Sequence, residues 1–249
     1  MIQLLPVTGI PDVHPGDNLA TLIVQALQAN AQSLLPKDLL VVAQKIVSKA
    51  EDRLVRLADV TPSDFALQVA RQLAGRDPRL VEIILRESRR IVRMDRGVLI
   101  AETHHGFICA NAGVDLSNVD GGITASLLPL DPDASAARIS NELTTLAGVA
   151  VPVIVSDTFG RPWREGLVDV AIGVHGLLAL RDCRRQEDAY GYPLNATILA
   201  EADQLAASAG LVFRKNGRVP VCLIRGFDFE PSTGSARLLL RDPGRDLFR

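Results

Sequence analysis

Val151-Pro152-Val153-Ile154-Val155, followed at once by Ser156-Asp157-Thr158-Phe159-Gly160-Arg161-Pro162-Trp163-Arg164-Glu165-Gly166, is the stretch that decides the class of this chain. Val151 to Val155 is apolar and rich in β-branched side chains, the pattern of a short buried strand. The residues that follow are polar, charged or small. A buried strand that empties into a polar segment is a favoured setting for a ligand site in proteins that mix helices and strands. Asp157 and Thr158 set a carboxylate beside a hydroxyl, a hard-oxygen pair of the kind Mg2+ accepts. Arg161 and Arg164 can neutralise phosphate or carboxylate, and Trp163 between them is the chain's one tryptophan. An ion-paired surface loop is the competing reading of the same residues.

Outward from this stretch, helical and strand patterns alternate along the chain. Ile2 to Val7 reads as a first strand. Leu19, Leu22, Ile23, Ala26 and Leu27 fall on one helical face, and Leu39 to Ala43 is a second apolar strand. Thr61-Pro62-Ser63-Asp64 is a helix start, continued by Phe65, Val69 and Leu73, and Asp77-Pro78 opens another helix to about Arg89. Ile91 to Ala110 reads as strands around a break at His104-His105-Gly106. Asp131-Pro132 begins a helix that Gly148 ends. Leu167 to Val174 and Pro220 to Ile224 read as strands, with a helix over 193–209. The expected class is α/β, a mixed α+β arrangement. A single domain over 1–249, with room for two closely packed subdomains, accommodates it.

Composition narrows the function. The chain has 249 residues, with 27 Lys plus Arg against 29 Asp plus Glu, a net charge of -2. That balance argues against nucleic-acid binding, which calls for a basic excess. No apolar run is long enough to cross a bilayer. Met1 to Val7 lacks the basic start and long apolar stretch of a signal peptide, so a cytoplasmic location is expected. Cys109, Cys183 and Cys222 form no CxxC pair and are expected to be buried free thiols. The GxxxxGK[ST], GxGxxG and HExxH patterns are all absent, which removes the common phosphate-loop, dinucleotide and zinc signatures.

Two further polar segments carry possible chemistry. Gln44-Lys45-Ile46-Val47-Ser48-Lys49-Ala50-Glu51 follows the second apolar strand, and a lysine at a strand exit can meet phosphate as a point charge. The other runs from His104 through Gly122. Asp115 and Asn118 offer hard oxygen ligands within it, among small residues that let backbone approach a ligand. His104 and His105 are neighbours that point apart on most backbones, so zinc binding by them is not favoured. Acid-bearing turns plus basic residues, with no Ser, Cys or His nucleophile arrangement, indicate metal-assisted phosphate chemistry.

The segments then match a known family. Leu5-Pro6-Val7-Thr8-Gly9-Ile10-Pro11 and Lys45-Ile46-Val47-Ser48-Lys49-Ala50-Glu51 resemble the opening motifs of the coenzyme F420:L-glutamate ligases. His105-Gly106-Phe107-Ile108-Cys109-Ala110-Asn111-Ala112-Gly113-Val114-Asp115, with Ser117-Asn118-Val119, is similar to the central motif. Ser156 to Arg164 resembles the third, while Arg225-Gly226 and Leu247-Phe248 fit the closing pattern. The resemblance implies an unusual mixed α/β ligase fold without a P-loop, and a homodimer. It also implies GTP-dependent addition of L-glutamate to the lactyl-phosphate tail of the F420 precursor through an acyl phosphate, releasing GDP and phosphate. One or two divalent ions, Mg2+ or Mn2+, are implied, and K+ can accompany them.

Carried over residue by residue, the resemblance assigns Asp115 and Asp157 to the first metal and Thr158 to the second. It assigns Ile10, Pro11, Asp12, Val13, Gln44, Lys49 and Asn118 to GTP. The chain departs from the family pattern at Phe213-Arg214-Lys215, where family forms often have Met-Gly followed by Gln, Glu or Lys. Lys215 has no acceptor for a metal, and is expected to neutralise GTP phosphate directly. A related ligase with another carboxylate acceptor, and a weakened paralogue that binds nucleotide or coenzyme without turnover, are the alternatives.

Overall fold

The computed structural model describes residues 1–117, 120–213 and 217–246. In chain order the elements begin with β1 (Gln3–Pro6), α1 (Leu19–Ala29), β2 (Leu39–Ala43), α2 (Gln44–Ala50) and β3 (Leu54–Arg56). They continue with α3 (Asp64–Gln72), α4 (Pro78–Arg86), β4 (Ser88–Asp95), β5 (Val98–Thr103), β6 (Ile108–Ala110) and β7 (Thr124–Ser126). The last are α5 (Pro132–Ala147), β8 (Val153–Arg161), β9 (Arg164–His175), β10 (Arg181–Asp182), β11 (Ile198–Leu199), α6 (Glu201–Phe213) and β12 (Val221–Arg225). The mixed α/β class expected from the sequence is what is found.

A five-stranded sheet in the order β1-β12-β2-β8-β9 forms the centre. Its pairs are antiparallel except β2 with β8, which run parallel with Ala43 opposite Ser156. Alternate side chains of β2 and β8 leave on opposite faces. Leu40, Val42, Val153 and Val155 pack with Ile23 of α1 and Ile139 of α5. Leu39, Val41 and Ile154 pack with Leu205 and Ala209 of α6. A separate cluster, including Val69, Ile84, Leu99, Val114 and Ala125, is drawn from the residues between β3 and the segment after β7.

Local chemistry explains most boundaries. Asp131 accepts from the Ala134 N–H to cap α5, Pro132 occupies its first turn, and Gly148 ends it in the left-handed region at φ 70. α3 starts later than Thr61-Pro62 suggests, because Ser63 is the residue whose hydroxyl caps Ala66 N–H. α4 stops at Arg86 rather than Arg89, since Ser88 and the residues after it pair with β5. The helix expected over 193–209 is displaced to Glu201–Phe213. The backbone before it is already engaged, with Leu194 N–H donating to Gln186 O at 2.8 Å and Cys183 N–H to Thr197 O at 3.0 Å.

Two expectations for the polar segments change more. The residues after β2 do not form a strand end, because Gln44–Ala50 turns directly into α2. So short a helix is marginal alone, and burial of Ile46 and Val47 in the core holds it. Ser156 to Arg161 is likewise not a loop but the continuation of β8, paired with β9 as far as Arg161 opposite Arg164. Asp157, Phe159 and Arg161 are half-buried while Thr158 and Gly160 are exposed, the period of a strand with one covered face. The hairpin turns at Pro162-Trp163, where Trp163 takes a left-handed φ of 57.

Candidate functional site: an acidic pair beyond the parallel strands

The parallel pairing of β2 with β8 ends at Ala43 opposite Ser156, and the next residues are Gln44 and Lys45, which open α2, and Asp157 and Thr158, where β8 runs on beside β9 alone. Ligands of open α/β sheets gather at that end of parallel strands. Asp115 is delivered to the same place from the other cluster. A tight turn at Asn111, Ala112 and Gly113 puts all three at positive φ (56, 52 and 74). A Cβ on Gly113 would lie 2.7 Å from the Leu128 side chain, so glycine is required there for packing as well as for its φ. Asn111 is tied down by Arg76, whose Nη1 donates to Oδ1 at 2.8 Å. Beyond the turn, Asp115 and Ser126 exchange backbone hydrogen bonds of 3.1 and 2.8 Å.

Lys45 Nζ lies 2.8 Å from Asp115 Oδ2. The Ser117 hydroxyl also donates to Oδ2 at 2.8 Å, and the Ser117 N–H to Oδ1 at 2.9 Å. Burial alone would raise the Asp115 carboxyl, but the Lys45 ammonium and the Ser117 donors outweigh it and hold it below the usual range. Asp157 behaves oppositely. Burial pushes it up to about 7 against the Thr158 N–H bond, and the charge of Asp115 adds to the rise. The two carboxyls therefore sense one another while their environments drive them apart. Cys109 stands close by, pushed up to about 12 by burial and by the Asp157 charge, and is an inert thiol.

These donors suit a hard divalent cation. The two carboxylates are oxygen ligands, with the Thr158 hydroxyl next to Asp157 in sequence, and a cation beside Asp157 would offset the burial and the Asp115 charge that raise its carboxyl. Among the described residues no three His, Cys, Asp or Glu side chains cluster as a complete cage. Mg2+ is commonly held by one or two carboxylates together with water and phosphate oxygens. Thr158 faces Asp169 across the hairpin, and its hydroxyl donates to Asp169 Oδ1 at 2.5 Å.

The other expected residues distribute as follows. Lys49 is one helical turn beyond Lys45 on α2, on the same face. Gln44 is buried, and its Nε2 donates to Leu127 O at 3.3 Å. In the turn before α1, Ile10 and Val13 pack on the core while Pro11 and Asp12 are exposed. Gly16 N–H closes that loop onto Ala50 O at the end of α2, at 2.9 Å. Asn118 and Lys215 lie outside the described residues. Lys45 and Asp169 are the site residues that sequence reasoning did not assign. A register of β8 against β9 would have revealed Asp169, and the helical spacing of Lys45 to Lys49 would have revealed Lys45.

His104 and His105 do point apart, as expected. His104 Nε2 meets Arg86 O at 2.8 Å, whereas His105 Nε2 meets Pro129 O at 2.9 Å and Leu130 O at 3.1 Å. The three cysteines are free and buried. Among the described residues no helix is long and apolar enough to cross a membrane.

Comparison with known proteins identifies the family. The family model for F420-0:gamma-glutamyl ligase matches residues 9–226. The coenzyme F420:L-glutamate ligase of Methanothermobacter thermautotrophicus is 46% identical over 251 aligned residues, covering 100% of this chain and 99% of the relative. That of Methanopyrus kandleri is 43% identical, covering 100% and 98%. That of Methanocaldococcus jannaschii is 41% identical, covering 85% and 84%. The match takes in the turn before α1, α2, the Asp115 turn and the β8–β9 hairpin within one continuous alignment, and the chain belongs to the F420-0:gamma-glutamyl ligase family.

Proposed function

We propose that this chain joins L-glutamate to the carboxylate-bearing lactyl-phosphate tail of the F420 precursor, at the expense of GTP, through an acyl phosphate. The glutamate ligase activity rests on family membership. The single structural observation that carries the phosphate chemistry is the Lys45–Asp115–Asp157 cluster beyond the parallel ends of β2 and β8. In the first step a carboxylate oxygen of the precursor attacks the γ-phosphorus of GTP and GDP leaves. In the second the glutamate amine attacks the acyl carbon, phosphate leaves, and the amine nitrogen loses a proton.

A divalent ion, Mg2+ or Mn2+, would be held by Asp115 and Asp157, and would supply charge neutralisation for the phosphates when bound. The protein's own part is to bind and orient. Lys45 and Lys49 offer two ammonium groups on one face of α2, suited to the triphosphate. The turn Ile10-Pro11-Asp12-Val13, tied to the end of α2, offers exposed backbone beside them for the rest of the nucleotide. Asn118 and Lys215 complete the proposed GTP contacts on family resemblance. A second ion at Thr158, and K+, belong to the same reading. A homodimer belongs to the same reading on family resemblance.

Precursor labelled with heavy oxygen in its carboxylate tests the route. An acyl phosphate carries one labelled oxygen into the released phosphate. Unlabelled phosphate with full glutamate addition contradicts it.

A further inference from the structure

The hydrogen bond from Thr158 to Asp169 says more than that two polar groups meet. A hydroxyl has one proton and two lone pairs. With its proton donated to Asp169 Oδ1 at 2.5 Å, Thr158 Oγ1 can only accept from, or ligate, whatever else it faces. Asp169 reaches it from the opposite strand, at the register Thr158 opposite Asp169. Its second oxygen rests over Gly210 in α6, where a Cβ would come within 2.4 Å of Asp169 Oδ2 and 3.1 Å of its Cγ. Glycine inside a helix is unfavourable relative to alanine, so a glycine at this contact has a packing reason. Gly210 keeps open the space that lets Asp169 reach Thr158.

We propose that Asp169 is a positioning residue, seated by Gly210, that commits the Thr158 hydroxyl to act as an oxygen donor toward the cation and phosphates of the neighbouring site. The inference rests on the proposed role of Thr158 in that site. It adds a residue from β9 and one from α6 to a site otherwise built from the turn before α1, α2, the Asp115 turn and β8. It also ties α6 to the nucleotide-proximal strand.

A double-mutant cycle on the whole chain tests it. The dissociation constant of Mn2+ in saturating GDP is measured by calorimetry, alongside the thermal midpoint, for Thr158→Val, Asp169→Ala and the pair. Each single change is expected to weaken Mn2+ by about tenfold, the scale of one hydrogen bond to a charged group. The double variant is expected to match the singles, because Asp169 has nothing to position once the hydroxyl is gone. Asp169→Asn, which retains an acceptor oxygen, is expected to recover most of the binding. Gly210→Ala is expected to weaken Mn2+ without lowering the thermal midpoint, an outcome that a merely structural glycine would not give. Losses that multiply in the double variant overturn the inference. So does unchanged binding in Asp169→Ala when Thr158→Val is impaired, which leaves the proposed site standing. Unchanged binding in Thr158→Val overturns the site's use of that hydroxyl together with the inference.

Discussion

Asp157 bears an electrostatic cost at the candidate site. Its carboxyl titrates near about 7 in the fold, raised first by burial, whereas an unfolded aspartate titrates near roughly 3.9. Between those values the native state keeps a proton that the unfolded state has released, so stability is lost as pH rises through the native value. Without divalent metal, Asp157→Asn is therefore expected to melt above the wild type at pH 8, by about 1 to 3 kcal/mol, and to converge on it near pH 4. The same variant is expected to lose metal binding. Thermal melts across that range check the first part, and a gap that widens toward acid would contradict it. Lys45 gives a complementary prediction. As the ammonium now paired with Asp115, it competes with an incoming cation, so Lys45→Gln is expected to bind Mn2+ alone a few-fold more tightly by calorimetry at pH 8. Asp115, Asp157 and Thr158 were legible as hard-oxygen candidates from the strand before them and the small residues around them. Their pairing with Lys45 and Asp169 was not, since it depends on which strands and helices meet across the chain.

At the scale of elements, what the sequence concealed was the identity of the polar stretches rather than of the apolar ones. The runs Leu39–Ala43 and Val221–Arg225 and the capped helix from Pro132 stand where pattern and capping chemistry put them. Gln44–Ala50 read as a strand end and Ser156–Arg161 as a loop because their side chains are largely polar, and only packing made one a helix and the other a strand. Contacts between elements explain other motif residues. Arg225 of β12 donates to buried Asp38 at 2.9 and 2.7 Å and to Ser33 O at 2.8 Å, and Gly226 gives passage to Met1 O, 2.2 Å from where a Cβ would sit. Arg225 and Gly226 of the closing motif are structural, while Leu247 and Phe248 lie outside the described residues. Asp38→Ala strands the partly buried Arg225 and is expected to cost about 3 kcal/mol, read by urea unfolding, with the metal affinity of the remaining folded protein unchanged. Gly173→Ala is expected to be at least as damaging. Its Cβ would lie 2.1 Å from Pro132 O, and backbone on both sides leaves β9 no way to stay seated on α5.

Across the whole molecule, the sheet order β1-β12-β2-β8-β9 brings together strands from the beginning, middle and end of the chain. No local pattern encodes that order, and the class but not the topology was therefore legible beforehand. The order of motifs along the chain carried the family, because four short matches in sequence constrain far more than any one of them. The topology then places the first three around the parallel ends of β2 and β8 and leaves the fourth in the frame. The reaction proposed at this cluster is the GTP-dependent joining of glutamate to the F420 precursor. The most direct measurement incubates the purified chain with GTP, Mn2+, L-glutamate and glutamate-free F420 precursor, and reads the coenzyme by mass spectrometry beside Asp157→Asn. The wild type is expected to give a glutamyl increment with matching GDP release, and the variant neither. GTP consumed without a glutamyl increment, or an unimpaired Asp157→Asn, would contradict it.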